Sequence, residues 1–382
     1  MNFTDLEQIT NPYPLYARWR KGAPIWWAED LQGWVLSRYD DVRAVLKDPA
    51  SFSSGLPEQR AEQTLPLPLL HDDPPVHTDL RAIVNRSFTS RVMKTIEAEV
   101  VTVVEELLDE IDPTAGVDIA EALTIPLPVA LIARFMGIPF ERKDDFKRWS
   151  DSLTGTGTAK SMAERMPDIQ EMMAFFRDEI PRRRAEPGDD LISKVVAAQV
   201  QGAPLSEAVI VGYCQLLLIA GNETTTNLLS NLLHYAADHP ELWATLRAQP
   251  DRIDAAVEEC LRFDPPVHWV NRTALVDAQF HGQKIAAGDA VYTVLGSANR
   301  DAAHYERPDE FRLDRPRSDH HTFGHGIHFC IGAPLARMEA RHALQGMLKR
   351  YRAVAHSDAG VNEPTHSSML RGYHHLWLQL SA

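Results

Sequence analysis

Residues 323–339 read FGHGIHFCIGAPLARME. A cysteine, Cys330, follows a glycine-rich turn and precedes helical sequence in which Pro334 suits a first turn. The N–H groups and dipole of a helix N-terminus stabilise a thiolate placed there. Gly324, Gly326 and Gly332 let the backbone turn tightly and let a bulky planar partner come close. The commonest fate of a lone cysteine is to be a small buried hydrophobe; the glycines and histidines clustered around Cys330 weaken that reading. A nucleophilic cysteine with His328 as base is a further reading. It is disfavoured because the two are near neighbours in sequence, whereas catalytic partners usually come from separate parts of a chain.

Upstream, Glu259 and Arg262 lie one helical turn apart before Asp264-Pro265-Pro266, so their charges share a face. Alone this spacing says little, since most such pairs are exposed and contribute well under about 1 kcal/mol. The segment Ser206–Asp238 predicts a long helix, with Ser206 as N-cap, Glu207 in the first turn and Pro240 beyond its end. Midway, the apolar run LLLIA gives way to Gly221, Asn222, Glu223, Thr224, Thr225 and Thr226. Polar residues in a core helix require an explanation, and threonine hydroxyls bonded back to the preceding turn, with the glutamate paired at one end of the core, supply one. His77 and Arg81, in HDDPPVHTDLR, are four apart on a helix predicted to begin near Pro74-Pro75.

With 382 residues, 44% hydrophobic and 24% charged, the chain has ordinary globular usage and enough length to bury a large cofactor. A net charge of −14 argues against general nucleic-acid binding, which needs a basic surface. Three widely spaced cysteines without a CxxC pair fit a reducing cytoplasm, and Cys214 and Cys260, in apolar helical sequence, read as packing residues. The N-terminus reads as neither signal peptide nor anchor, and the most apolar run, Val209–Ala220, is short of the roughly 20 residues a bilayer requires. Residues 24–38 predict a hairpin around Gln32-Gly33, and apolar spacing predicts helices over Val42–Leu46, Arg91–Ile111, Leu127–Met136 and Met172–Arg184. Gly55–Pro75 and Leu153–Lys160 read as loops.

The pattern of Phe323, Gly326, His328, Cys330 and Gly332 resembles the haem-binding signature of the cytochrome P450 family. The resemblance runs from about residue 10 to the C-terminus and implies a mainly α fold with small β-sheets, residues 1–382 forming a single domain. It implies that Cys330 is the thiolate ligand of a haem b iron, donating electron density that favours cleavage of the oxygen–oxygen bond. Glu259 and Arg262 match the family's ExxR pair and Arg315 its third member, a structural brace; Ala298–Asp301, ANRD, also matches. Ala220, Gly221, Glu223 and Thr224 match AGx(D/E)T, where a helix distortion makes room for dioxygen; Thr224 would hold the oxygen and water in a hydrogen-bond network and Glu223 would relay protons. His77, Arg81, Arg272 and His328 match contacts to the haem propionates, whose burial requires such partners.

The activity this implies is a dioxygen-dependent monooxygenase that hydroxylates or dealkylates a small-to-medium hydrophobic molecule with two externally supplied electrons. A chain of this length is expected to carry no fused reductase, so a separate ferredoxin and ferredoxin reductase would supply them. An acidic ferredoxin would dock near Arg91, Lys94, Arg337 and Arg341. The rivals are a peroxide-driven haem-thiolate enzyme and a haem-binding sensor without turnover; the Glu223–Thr224 pair argues against both. Pocket walls are expected in Gly55–Leu70, at Leu217 and Leu218, in Val267–Val270, around Val294-Leu295 and near Met369-Leu370, with His268 or Trp269 as a polar or aromatic contact.

Overall fold

The Ser206 hydroxyl accepts the Val209 N–H at 3.3 Å, and from that cap one unbroken helix runs Glu207–Asp238. At about 1.5 Å per residue its 32 residues cross the molecule. It is buried on nearly all sides, so its apolar residues do not form a single stripe. Toward its C-terminal half, Leu228, Leu229, Leu232 and Leu233 pack with the Ile253–Phe263 and Ala333–Arg350 helices. Toward its N-terminal half, Tyr213, Cys214, Leu217 and Leu218 pack with helices Pro126–Met136 and Met162–Ala185. Cys214 and Cys260 are both buried in these cores, as their apolar surroundings predict.

The structure is a computed structural model that describes residues 11–55, 67–86, 88–138, 140–154, 161–316 and 319–381. The Arg91 side chain and most of the two expected loops, residues 56–66 and 155–160, lie outside the described residues. The predicted helices appear as Tyr39–Lys47, Ser90–Asp109, Pro126–Met136 and Met162–Ala185. The last begins earlier than its apolar spacing indicated. Ser161 and Glu164 form a reciprocal capping box that starts the helix ahead of its apolar face.

The hairpin forms as expected, pairing Ile25–Ala28 with Gly33–Leu36, with Gln32 at φ 47° in the turn. It belongs to a five-stranded sheet that local sequence does not announce. Ala290–Thr293 runs parallel to Gly33–Leu36 and antiparallel to Val270–Ala274, and Phe52–Ser53 closes the far edge. Val270, Asn271 and Arg272 of the Val270–Ala274 strand all line one cavity. A second sheet joins Val117–Asp118 to Ala353–His356 through Trp377–Ser381. Among the described residues no helix is long and apolar enough to cross a membrane.

Candidate active site

The loop quoted above folds back on itself: the Cys330 N–H donates to the Phe323 carbonyl at 2.8 Å. Gly326 has φ +66°, and an added Cβ would come within 2.9 Å of the Leu46 carbonyl oxygen, so only glycine fits against the Tyr39–Lys47 helix there. Beyond the cysteine, Gly332 opens the Ala333–Arg350 helix with Pro334 in its first turn. Burial pushes the Cys330 thiol up, and the Gly332 and Ala333 N–H groups, with Arg81 and Arg337 nearby, act in the opposite direction. The helix start therefore favours the thiolate, as the sequence suggests.

The loop is braced from behind. Glu259 and Arg262, 2% and 0% exposed, form a bidentate pair at 2.7 and 2.9 Å. Arg262 also donates to the carbonyls of Asn299, Pro308 and Glu310, and Arg315 donates to Glu259 at 3.0 Å. The Asn299 side chain then reaches Thr322 and the backbone of His321, the residues that lead into Phe323. Arg300 lies between the rings of Tyr13 and Phe263, at 3.4 and 3.6 Å, while Asp301 accepts the Tyr39 N–H at 3.0 Å. Every charged or amide side chain of the ANRD segment is thus structural.

Between the loop and the long helix lies a cavity of about 370 Å³. Cys330, Phe323, Gly332 and His328 line one side, and Ala220, Gly221 and Thr224 another. The Thr224 hydroxyl donates to the Ala220 carbonyl at 2.9 Å, and the helix is unbroken there, without the distortion the sequence pattern implied. The hydroxyl stays within its own helical turn. Gly221 serves packing here: an added Cβ would meet Ile132 Cδ1 at 3.0 Å. Glu223 is buried and does not line the cavity.

Four cationic or imidazole groups cluster at the rim. His77 and His328 have ring centroids 4.3 Å apart, and the Nε2 atom of each is buried without a hydrogen-bond partner among the described residues. Burial, with Arg272 and His77 adjacent, pulls His328 down to about 3. Arg272 donates to the Asn271 carbonyl and is pulled down to about 10 by burial. Arg81 donates to the Phe329 carbonyl in the cysteine loop. No carboxylate of the described residues hydrogen-bonds to any of the four.

A family model for cytochrome P450 matches residues 157–374. The chain belongs to the cytochrome P450 family. It is 39% identical over 344 residues to cytochrome P450 109 of Bacillus spizizenii, covering 88% of this chain and 84% of that one. It is 37% identical over 342 residues to the erythromycin C-12 hydroxylase of Saccharopolyspora erythraea, covering 87% and 85%. The crystal structure of CYP109E1 from Bacillus megaterium in complex with testosterone superposes with TM-score 0.88 at 37% identity, covering 96% of this chain and 99% of that one.

As a cytochrome P450 the chain is an oxidoreductase, a monooxygenase, and the family implies a haem. The residues present fit that group. A thiol beside helix N–H donors faces a cavity whose rim carries cationic and imidazole groups without carboxylate partners, complementary to the two carboxylates a haem carries.

The P450 cavity departs from expectation on its distal side. Leu70, Leu217, Val267, Val270, Leu295 and Met369 line it, whereas Leu218, Val294 and Leu370 do not. His268 and Trp269 are not contacts either. Tyr16 hydrogen-bonds His268 Nδ1 at 2.9 Å in the core, and Trp269 donates to the Ser368 carbonyl at 3.0 Å while packing on Tyr292. Several polar wall residues escaped the sequence reading, among them His71 and Glu339. His71 lies six residues before His77 in the quoted HDDPPVHTDLR stretch, and Glu339 closes the cysteine segment, so both were in view without any spacing to mark them.

Proposed function

We propose that this P450 binds haem b with Cys330 as thiolate ligand and, using dioxygen and two electrons from a separate ferredoxin and its reductase, hydroxylates or dealkylates a small-to-medium hydrophobic molecule in the cytoplasm. The observation that carries the reading is Cys330 at a helix N-terminus, facing a cavity whose opposite wall is Ala220, Gly221 and Thr224. When bound, the haem supplies the metal at which dioxygen is activated, the thiolate donating electron density to it.

The chain's own residues do the rest. His77, Arg81, Arg272 and His328 would hold the haem carboxylates, and Phe323 would line the cysteine side of the haem site. Thr224 has spent its hydroxyl proton on the Ala220 carbonyl, so its Oγ1 lone pairs are free to accept a hydrogen bond from a water in the cavity. Glu223, one residue earlier, passes protons toward that oxygen from the solvent side. The apolar wall of Leu217, Val270 and Leu295 excludes bulk water and selects hydrophobic substrate.

For the ferredoxin, the surface near the cysteine loop offers less free charge than its sequence implied. Arg337 is held bidentately by Glu258 and lies over the Phe323 ring at 4.5 Å, while Arg341 pairs with Asp254. Lys94 is exposed and carries the docking role more readily. The test of the whole reading is the absorption spectrum of the reduced protein with carbon monoxide, wild type against Cys330→Ser. A strongly red-shifted Soret band confined to wild type supports it; no such band in folded, haem-loaded wild type ends it.

A further inference from the structure

His71 lines the cavity, whose wall also includes the apolar Leu70, Phe88, Ile132 and Leu217. Its ring is fixed by a local turn. The His71 N–H donates to the Leu67 carbonyl at 3.1 Å, the Leu67 N–H donates back to His71 Nδ1 at 3.1 Å, and the Leu69 N–H donates to Asp72 Oδ2 at 2.7 Å. A backbone N–H can only donate, so Nδ1 must be the bare nitrogen of the imidazole and Nε2 must carry the hydrogen. Burial, opposed by Asp72, holds the ring below the usual histidine range and keeps it neutral. Among the described residues Nε2 has no hydrogen-bond partner.

At His71 the wall therefore presents an oriented, uncharged donor. We propose that His71 is a specificity-determining residue of this P450: its Nε2–H anchors a carbonyl oxygen on an otherwise hydrophobic substrate. A ligand without an acceptor displaces water from that donor and leaves it unpaired, which costs binding, and a cationic head finds no counter-charge in His71. The proposal rests on the cavity being the substrate site of a monooxygenase.

The experiment titrates haem-loaded protein with cyclododecanone and with cyclododecane, reading the spin-state shift. The underlying reading is checked first and separately, by the thiolate band with carbon monoxide before any ligand is added. In His71→Phe the preference for ketone over hydrocarbon is expected to fall about 3- to 10-fold, the effect of one neutral hydrogen bond. In His71→Gln, which keeps an N–H donor, the preference returns. A wild type that prefers neither ligand, or a Phe variant whose preference is unchanged, overturns the proposal. So does a Phe variant that folds but loses haem, which would put His71 on a haem carboxylate instead.

Discussion

The side-chain oxygen of Asn299 accepts the backbone N–H of His321 at 2.7 Å, and its amide nitrogen donates to Thr322 Oγ1 at 2.9 Å. Its backbone carbonyl meanwhile receives Arg262 at 2.9 Å. One residue thus passes the rigidity of the Glu259–Arg262 brace into the strand of chain that enters the cysteine loop. Asn299→Ala leaves the buried His321 N–H without an acceptor, at a cost of about 1–3 kcal/mol. The expected outcome is a lower Tm together with faster loss of haem to a haem-scavenging apoprotein; an unchanged transfer rate would show that the loop does not depend on this contact.

Glu259→Gln removes the only carboxylate that hydrogen-bonds to the fully buried Arg262 among the described residues. Breaking one side of a buried pair typically costs about 3–5 kcal/mol, because the remaining charge stays uncompensated. Equilibrium unfolding in urea is expected to show that loss as an earlier midpoint. Replacing Arg315 by Lys keeps the charge but gives up donors to the carbonyls of Glu306, Arg307 and Glu310, and is expected to cost less.

Glu339 is buried in the cavity wall, its Oε2 has no hydrogen-bond partner among the described residues, and burial holds its carboxyl well above the usual range. The folded chain therefore keeps the proton, while the unfolded chain loses it from about pH 4.5 upward. Because the folded pKa is the raised one, the stability this group confers is full below the unfolded pKa and declines as pH rises toward the folded one. Glu339→Gln abolishes that decline. The Tm difference, variant minus wild type, is expected to grow more positive between pH 5 and 8; a difference independent of pH would mean the carboxylate is ionised in the fold.

Thr224→Ala removes the hydroxyl that bonds to Ala220, and with it an acceptor facing the cavity. Electron consumption is expected to continue while product falls and hydrogen peroxide appears, and Thr224→Ser is expected to restore coupling. Product and peroxide measured per electron pair decide it; equal coupling in the alanine variant would remove Thr224 from the proton network.

Much of this site was legible because its parts are local. The Cys330 loop, the Glu259–Arg262 spacing and the Ser206 cap each lie within a few residues, so chain geometry alone relates them. What local pattern could not supply was partnership across the chain. Ala290–Thr293 has no feature that names Gly33–Leu36 as its parallel neighbour, and nothing near His268 shows that Tyr16 will bond it in the core. His71 was missed for a related reason: its role depends on a tautomer, set by one backbone N–H, that no residue spacing encodes.

The tight seat of Gly326 on the Leu46 carbonyl joins residues about 280 positions apart, as does the bond from the Tyr39 hydroxyl to the Asp319 carbonyl. Closure of such distant pairs slows folding, because the entropy of a long loop is lost before the contact rewards it. On a ribosome the first helices emerge long before the segment they must grip. A nascent chain halted before residue 326 thus lacks Cys330 and the helix start behind it, and with them the cysteine side of the cavity.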